Sequence, residues 1–473
     1  LEQVPIAANL RHDQLDALVT AEWLEGQDSD SSDKNATLRA PVEREQLSFL
    51  YRLAQHLKAG RERVRGKPET FNRPDYNFRL VGNDGEVPVG NEPVQITTRQ
   101  RGAPLDLIVS SAYAAFIYDT TAAGSGKLGK WFSQGQAAGT DAYKVGSWKQ
   151  GTEDELSLVK NADYWGGWSG AHYTSINFKV VPEQTTAVQL LQSGQGSFIP
   201  QLSAPLFKSL QSDSGVKTSR NSSFQNILAM LNTGSGPLKD KSLRQAVAAA
   251  IDYDGIVSVL GGAVGKASGV VPAGLLGNTD SVQPTTDVER AKTLLRDAGH
   301  GDAKKLNLSL TYAAGDPQLE TIVTLMKSNL SAVGITLQAK ALAWPTQWSI
   351  GKSADLAKRQ DIFLFYWYPD YADPYSWFVN LYHSAKPPYF NLAYWQNPEA
   401  DTLIDKLQQL TATDRQEAEK QYITLQKMIS DDAVSPVLGV VNSQRAMAAS
   451  VQGYVDNPAY QAVVFVHELS PAS

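Results

Sequence analysis

The segment Tyr366-Trp367-Tyr368-Pro369-Asp370-Tyr371-Ala372-Asp373-Pro374-Tyr375-Ser376-Trp377 places two carboxylates among six aromatic rings. Twelve aromatic residues lie between Tyr366 and Trp395, far above the 9% of the whole chain. Rings at this density suggest a pocket or interface that grips a flat or amphipathic ligand. Ordinary core packing is the competing reading for each ring, but charged groups are rarely buried unpaired. Asp373 precedes proline, a common turn opener and helix cap. Asp370 has no such local explanation. A glycosidase needs two carboxylates facing each other across a cleft, and the pairs Asp370 with Asp373 and Asp431 with Asp432 raise that chemistry without establishing it.

The elements that must position these residues alternate between strand and helix. The apolar run Asp361–Phe365 reads as a buried strand that delivers the aromatic loop. Upstream of it, Leu306–Tyr312 reads as a strand, Leu319–Val333 as a helix stopped by Gly334, and Ile335–Leu342 as a strand. Leu243–Leu260 has the spacing of one long amphipathic helix, and Thr286–Ala298 of another, opened by Asp287 and closed by Gly299. Pro398–Leu410 and Asp414–Ile429 are further helices. Tyr143–Trp148 with Leu156–Val159 reads as a hairpin, Ile176–Val181 and Ile227–Leu231 as strands, and Glu183–Leu191 as a helix. Nearer the start, Val42–Leu57 has helical spacing, Lys58–Arg65 is a basic run, and Val94–Thr98 and Leu105–Val109 look like strands. Strands alternating with helices indicate an α/β architecture.

Composition removes several function classes. The chain has 473 residues, too many for one core, so two or three domains are expected. A net charge of −6 argues against nucleic acid and against a constitutive anionic-membrane partner. The absence of cysteine excludes disulfides, thiolate metal sites and cysteine nucleophiles. No run of about 18 apolar residues is present. The chain begins at Leu1 with no methionine, which reads as a mature or trimmed product whose export signal, if any, is already gone. Gly124-Ser125-Gly126-Lys127 fails as a phosphate loop, with no glycine five positions before Gly126 and Leu128 where serine or threonine is required. The six histidines are scattered without ligand spacing, so no metal and no cofactor is expected. No G-x-S-x-G elbow occurs.

Several segments, in one order, resemble the extracytoplasmic solute-binding proteins of bacterial ABC importers, in the oligopeptide/dipeptide/nickel-binding family (family 5). Gly139–Val145 resembles the family's G-T-G-P-Y element with departures at Asp141 and Ala142. Asn161-Ala162-Asp163-Tyr164-Trp165-Gly166-Gly167 resembles N-x-x-Y-W-x-G. Leu191–Gly194 resembles a helix end before G-x-x-D, whose acid is absent here. Asn232–Asp252, with Pro237-Leu238, Arg244-Gln245-Ala246 and Ala250-Ile251-Asp252, resembles the entry to the second lobe. Trp367–Pro374 resembles W-x-x-D-x-x-D-P, and Tyr394-Trp395-Gln396-Asn397-Pro398 with Asp401, Arg415 and Tyr422 resembles the C-terminal pattern. The likeness covers about residues 100–460, and residues 1–90 match poorly.

The resemblance implies a two-lobed periplasmic-binding-protein (type II) fold with hinge closure on ligand. Lobe I is expected over 1–231, with an inserted subdomain in its N-terminal half, lobe II over 232–445, and a return segment over 446–473. It implies a periplasmic or cell-surface-anchored monomer that is not an enzyme. Such a protein captures peptides in an interlobe cleft and delivers them to a membrane permease with cytoplasmic ATPases. Asp370 would pair with the peptide ammonium beside Trp367, with Tyr366, Tyr368, Tyr394, Trp395 and Trp344 as further ligand contacts. A peptide of fixed length also needs a cation for its carboxylate, and the nearest to the strand are Lys358 and Arg359. Some relatives bind oligosaccharides, for which Trp344, Trp348, Trp367, Trp377 and Trp395 are candidate stacking platforms. A sugar or other small solute is therefore the alternative.

Overall fold

The computed structural model describes residues 141–149, 155–181, 183–300, 305–460 and 463–472. It also describes Trp131, Gln134, Gln136, Gly139 and the backbone of three short upstream strands. The expected helix Val42–Leu57, the basic run Lys58–Arg65, the strand Leu105–Val109 and the glycine turn at Gly124–Lys127 lie outside the described residues. The chain divides into two compact units. One comprises residues 1–197, 448–455 and 464–473, and the other residues 198–447 and 456–463. The sequence reading placed its lobe boundaries at 231/232 and 445/446.

In the first unit, β1 (Ala36–Pro41), β2 (Leu80–Val81) and β3 (Pro93–Thr98) form an antiparallel sheet of order β1-β3-β2. A second antiparallel sheet follows the chain as β4 (Tyr143–Lys149), β5 (Glu155–Lys160) and β6 (Ser175–Lys179), which extends the expected hairpin by one strand. The amide of Asn161 donates to the Ala142 carbonyl (2.8 Å) and its side-chain Nδ2 to the Asp141 carbonyl (3.0 Å). The two motif segments on either side of β5 are thereby tied together. Trp168 donates to the Asn161 carbonyl at 2.8 Å and packs edge-on against Tyr143. Helix α1 (Gln184–Gln192) follows.

The second unit is built on one mixed sheet. Its strands are β7 (Phe198–Ile199), β8 (Val216–Leu231), β9 (Val264–Gly265), β10 (Leu306–Ala313), β11 (Ile335–Leu342), β12 (Ile362–Trp367) and β13 (Val437–Ala448). The order is β11-β10-β12-β8-β13-β7, with β9 on β13. Strands β10, β11 and β12 are mutually parallel, and β8 runs antiparallel to β12, from Ile362 opposite Leu231 to Trp367 opposite Asn226. The short pair β14 (Val451–Gln452) and β15 (Ser470–Pro471) belongs to the first unit.

Because successive strand residues face opposite sides, β8 and β12 feed two separate cores. Ile227, Ala229, Leu231, Ile362 and Leu364 join one, covered by α3 (Lys241–Ala250), α4 (Tyr253–Val259), α5 (Val288–Asp297) and α6 (Pro317–Ser331). Helix α2 (Ala204–Leu210) precedes these in the chain. Leu228, Met230, Phe363, Phe365 and Trp367 join the other, against α8 (Tyr375–Leu381), α9 (Pro398–Thr413) and α10 (Arg415–Asp431). Helix α7 (Trp344–Gly351) leaves β11 on this second side, where Trp344 packs edge-on against Phe363. Burial on both faces explains why β12 reads as a continuous apolar run without alternation.

Two expectations are corrected here. The single helix Leu243–Leu260 is two helices, because Ile251 is extended and Asp252 opens α4 with its Oδ1 accepting from Gly255 N at 2.8 Å. Strand β12 does not end with the apolar run at Phe365 but continues through Tyr366 and Trp367, so these two rings belong to the strand and not to the loop.

Candidate functional site

Strands β10, β11 and β12 end at the same edge of the second unit's sheet, at Ala313, Leu342 and Trp367, and helices α6, α7 and α8 begin there. The carboxyl ends of parallel strands are where loops and helix N-termini meet a ligand in α/β sheets. Five of the seven nominated residues stand at this edge: Trp344, Tyr366, Trp367, Tyr368 and Asp370.

Their exposure differs. Trp344 is 45% exposed and Tyr368 50%, and Asp370 is also open to solvent. Trp367 is buried, packed against Phe390 at 4.8 Å and Phe365 at 6.3 Å, with its indole N–H unpaired. Tyr366 points to the opposite face of the sheet from Trp367. Its hydroxyl donates to Asp316 Oδ1 at 3.1 Å, beside Gln318 at the start of α6. Burial, then the neighbouring Asp316 carboxylate, hold its phenol well above the usual range. Tyr366 and Trp367 therefore do not converge on one point.

Asp370 is set by a small hydrogen-bonded frame. Its amide donates to Ser376 Oγ (3.0 Å), and Asn380 Nδ2 donates to Asp370 Oδ2 (3.0 Å) and to the Ser376 carbonyl (2.7 Å). Ser376 and Asn380 are one turn apart on α8 and both are buried, so a rigid helix aims an exposed carboxylate. The sequence reading did not single out either residue. Two buried polar groups at i, i+4 after an acid-rich turn are the signal that could have found them.

Asp373 has a different role. It is buried, its Oδ1 accepts from Tyr375 N at 2.9 Å, and Tyr422 Oη lies at 3.4 Å. Burial raises its carboxyl to about 6, opposed by those hydrogen bonds and by Arg415. It caps the first turn of α8, in agreement with the turn-and-cap reading of Asp-Pro.

Tyr394 and Trp395 lie at the other end of the sheet, where β12 begins and β8 ends. Thr233 N donates to the Ala393 carbonyl, and Tyr394 Oη donates to the Gly351 carbonyl at 2.7 Å and accepts from Gln360 Nε2 at 3.1 Å. Burial pushes the Tyr394 phenol up to about 12, against the pull of Gln360 and Arg359. Trp395 Nε1 donates to Asp432 Oδ2 at 2.6 Å. Six strand residues separate the two ends, about 20 Å at the usual strand rise. The pattern that named all seven residues thus gathers two groups that do not meet.

The cations considered for a ligand carboxylate also lie at that far end. Lys358 faces Asp355 at 3.8 Å, and the Arg359 guanidinium stacks over the Tyr394 ring at 4.2 Å. Among the described residues no group of three or more His, Asp or Glu side chains is placed to hold a metal ion. No described helix is long and apolar enough to cross a membrane.

The chain matches the model of the bacterial extracellular solute-binding proteins, family 5 (middle region), across residues 62–388, well over half its length. It belongs to that family. This binding protein is 26% identical over 425 residues to the probable D,D-dipeptide-binding periplasmic protein DdpA of Escherichia coli (strain K12), covering 86% of this chain and 79% of DdpA. It is 24% identical over 354 residues to the oligopeptide-binding protein AppA of Bacillus subtilis (strain 168), covering 69% of this chain and 61% of AppA. The structure of that AppA with a nonapeptide superposes with a TM-score of 0.69 at 18% identity, over 94% of this chain and 89% of the other. A putative peptide-binding AppA from Clostridium difficile superposes with a TM-score of 0.74 at 19% identity, over 93% and 90%. The binding protein therefore has the two-lobed type II fold that the motif order implied.

Proposed function

We propose that this protein is the peptide-capturing component of an ABC importer, which passes its ligand to a membrane permease. The reading rests on one observation: an exposed carboxylate, Asp370, held by Asn380 and Ser376 at the carboxyl edge of a parallel sheet that also carries the open rings of Tyr368 and Trp344. A carboxylate so held makes a charge-assisted bond to an α-ammonium, and the rings take apolar side chains or the peptide main chain. Peptide-binding relatives in the family support it.

A non-catalytic role goes with this reading. The acid nearest in sequence, Asp373, is buried as a helix cap rather than set across a cleft from Asp370. The location is proposed as extracytoplasmic, in the periplasm or at the cell surface, and the working form as a monomer that closes about a hinge. A sugar ligand is the second reading, favoured by the 45% exposure of Trp344 and its tilted stacking with Trp348 at 5.5 Å.

Native mass spectrometry of the purified protein, before and after mild denaturation, separates the two. A released series spaced by amino-acid residue masses supports the peptide reading. A hexose-type mass refutes it and moves the site to the tryptophan pair.

A further inference from the structure

The far end of the second unit's sheet holds an open pocket of about 750 Å³ that is independent of the Asp370 edge. Its walls carry five cations, Lys239, Arg244, Lys352, Arg359 and Lys386, and one carboxylate, Asp432. The whole chain is acidic, at −6, so this concentration of positive charge runs against its average.

The single acid is already engaged. Asp432 Oδ1 accepts from Arg244 at 2.7 Å and faces Lys241 at 3.7 Å, while its Oδ2 accepts from the Trp395 indole at 2.6 Å. Arg244 is spent on the same structure, with its remaining N–H groups on the carbonyls of Leu238, Lys239 and Asp432. Four cations are left, and none of them forms an ion pair among the described residues. Aromatic faces hold two of these in place. Lys352 Nζ lies 5.2 Å from the centre of Trp348 and 5.0 Å from Tyr389, and Arg359 lies over Tyr394 with its Nε donating to the Ser353 carbonyl at 2.8 Å. A guanidinium fixed by its face and one edge keeps its terminal N–H groups for a planar oxyanion. The other two, Lys239 and Lys386, are exposed ammonium groups on the rim. Like charges gathered in one concavity repel one another until an anion enters.

We propose that this pocket is a second binding site, for a small multivalent oxyanion of phosphate or polycarboxylate chemistry. Its size is that of a small-molecule site. Leu356, half exposed on its wall, gives the carbon skeleton of such a ligand an apolar surface. The site accounts for two residues that the aromatic pattern drew toward the peptide edge: Trp395 fixes Asp432, and Tyr394 presents Arg359.

The experiment is calorimetric titration of the whole protein with inorganic pyrophosphate and with citrate at low ionic strength. Saturable one-to-one binding of either anion, with Kd below about 1 mM, is expected. The variants K239Q and K386Q, which alter exposed side chains with no packing role, should each weaken it several-fold, and the double variant about tenfold or more. R359K, which keeps the charge but loses the planar fork, should also weaken it. D370N should leave anion binding unchanged, and K386Q should leave peptide binding unchanged, so failure here is separable from failure of the peptide reading. No saturable binding of either anion, or equal affinity in the K239Q/K386Q double variant, would overturn the proposal.

Discussion

Asp370 and Asp373 show how far apart two like residues in one motif can stand. One is exposed and aimed by Asn380, whereas the other is buried beneath Tyr375 N and Tyr422. Asp370→Asn keeps the shape and removes the charge, so peptide affinity should fall more than about tenfold, the usual loss when one partner of a charge-assisted pair goes. An unchanged Kd by calorimetry would remove the ammonium anchor. Asn380→Ala should produce a smaller loss, since it frees the carboxylate without discharging it. Asp373 acts on stability instead. Its folded carboxyl is raised to about 6 from 3.8, so between those values the native state holds the proton more tightly than the unfolded chain. Stability from this group is therefore fully present below about pH 4, declines as pH rises through the window, and is flat above about 6. The full difference is at most about 3 kcal/mol. Asp373→Asn, which retains the oxygen that accepts from Tyr375, should lack this slope. Urea midpoints taken from pH 4 to 7 test it, and parallel profiles for the two proteins would contradict the assignment.

At the scale of elements, helix and strand identity was legible where periodicity and caps agreed. Asp287 opens α5 and Gly334 follows α6 as their residue types require, and β11 spans Ile335–Leu342 as read. The failures have physical causes. Apolar residues continue in helical register across Ala250-Ile251-Asp252, so spacing alone could not show that Ile251 turns extended there. Asp252 was the available signal: its Oδ1 caps Gly255, and at Gly255 a Cβ would come within contact of that carboxylate. Asp252→Ala should therefore cost about 1 kcal/mol, the typical loss of a helix cap. A urea midpoint unmoved by the change would mean that packing of Tyr253 and Ile256 alone defines α4. Aromatic residues favour strands, and Tyr366 and Trp367 continue β12 rather than opening the loop. Once they are in β12, alternation sends them to opposite faces, which no count of rings could disclose. Tyr394 and Trp395 were legible as important residues, but their distance from Asp370 depends on strand register and on the path of the chain after α8.

For the whole molecule, length and the alternation of elements were enough to indicate an α/β chain of more than one unit, and motif order was enough to indicate the family. The site was less legible, because β12 and the starts of α6, α7 and α8 come to one sheet edge only through the order β11-β10-β12. All the residues nominated for peptide contact belong to the second unit, residues 198–447 and 456–463. A chain of two compact units is expected to unfold in more than one step rather than as a single two-state system. Peptide at a hundredfold excess over its Kd should stabilise the state that binds it by about 2.7 kcal/mol. Scanning calorimetry of the full chain with and without peptide should then move the transition of the second unit upward, and Asp370→Asn should shrink that shift at the same peptide concentration. Pyrophosphate in the basic pocket acts on the same unit through different residues, so its stabilisation should add to that of peptide and survive Asp370→Asn. A peptide shift that Asp370→Asn leaves intact would locate the ligand away from the carboxyl edge of β12, and the ammonium would then have to be held by another acid.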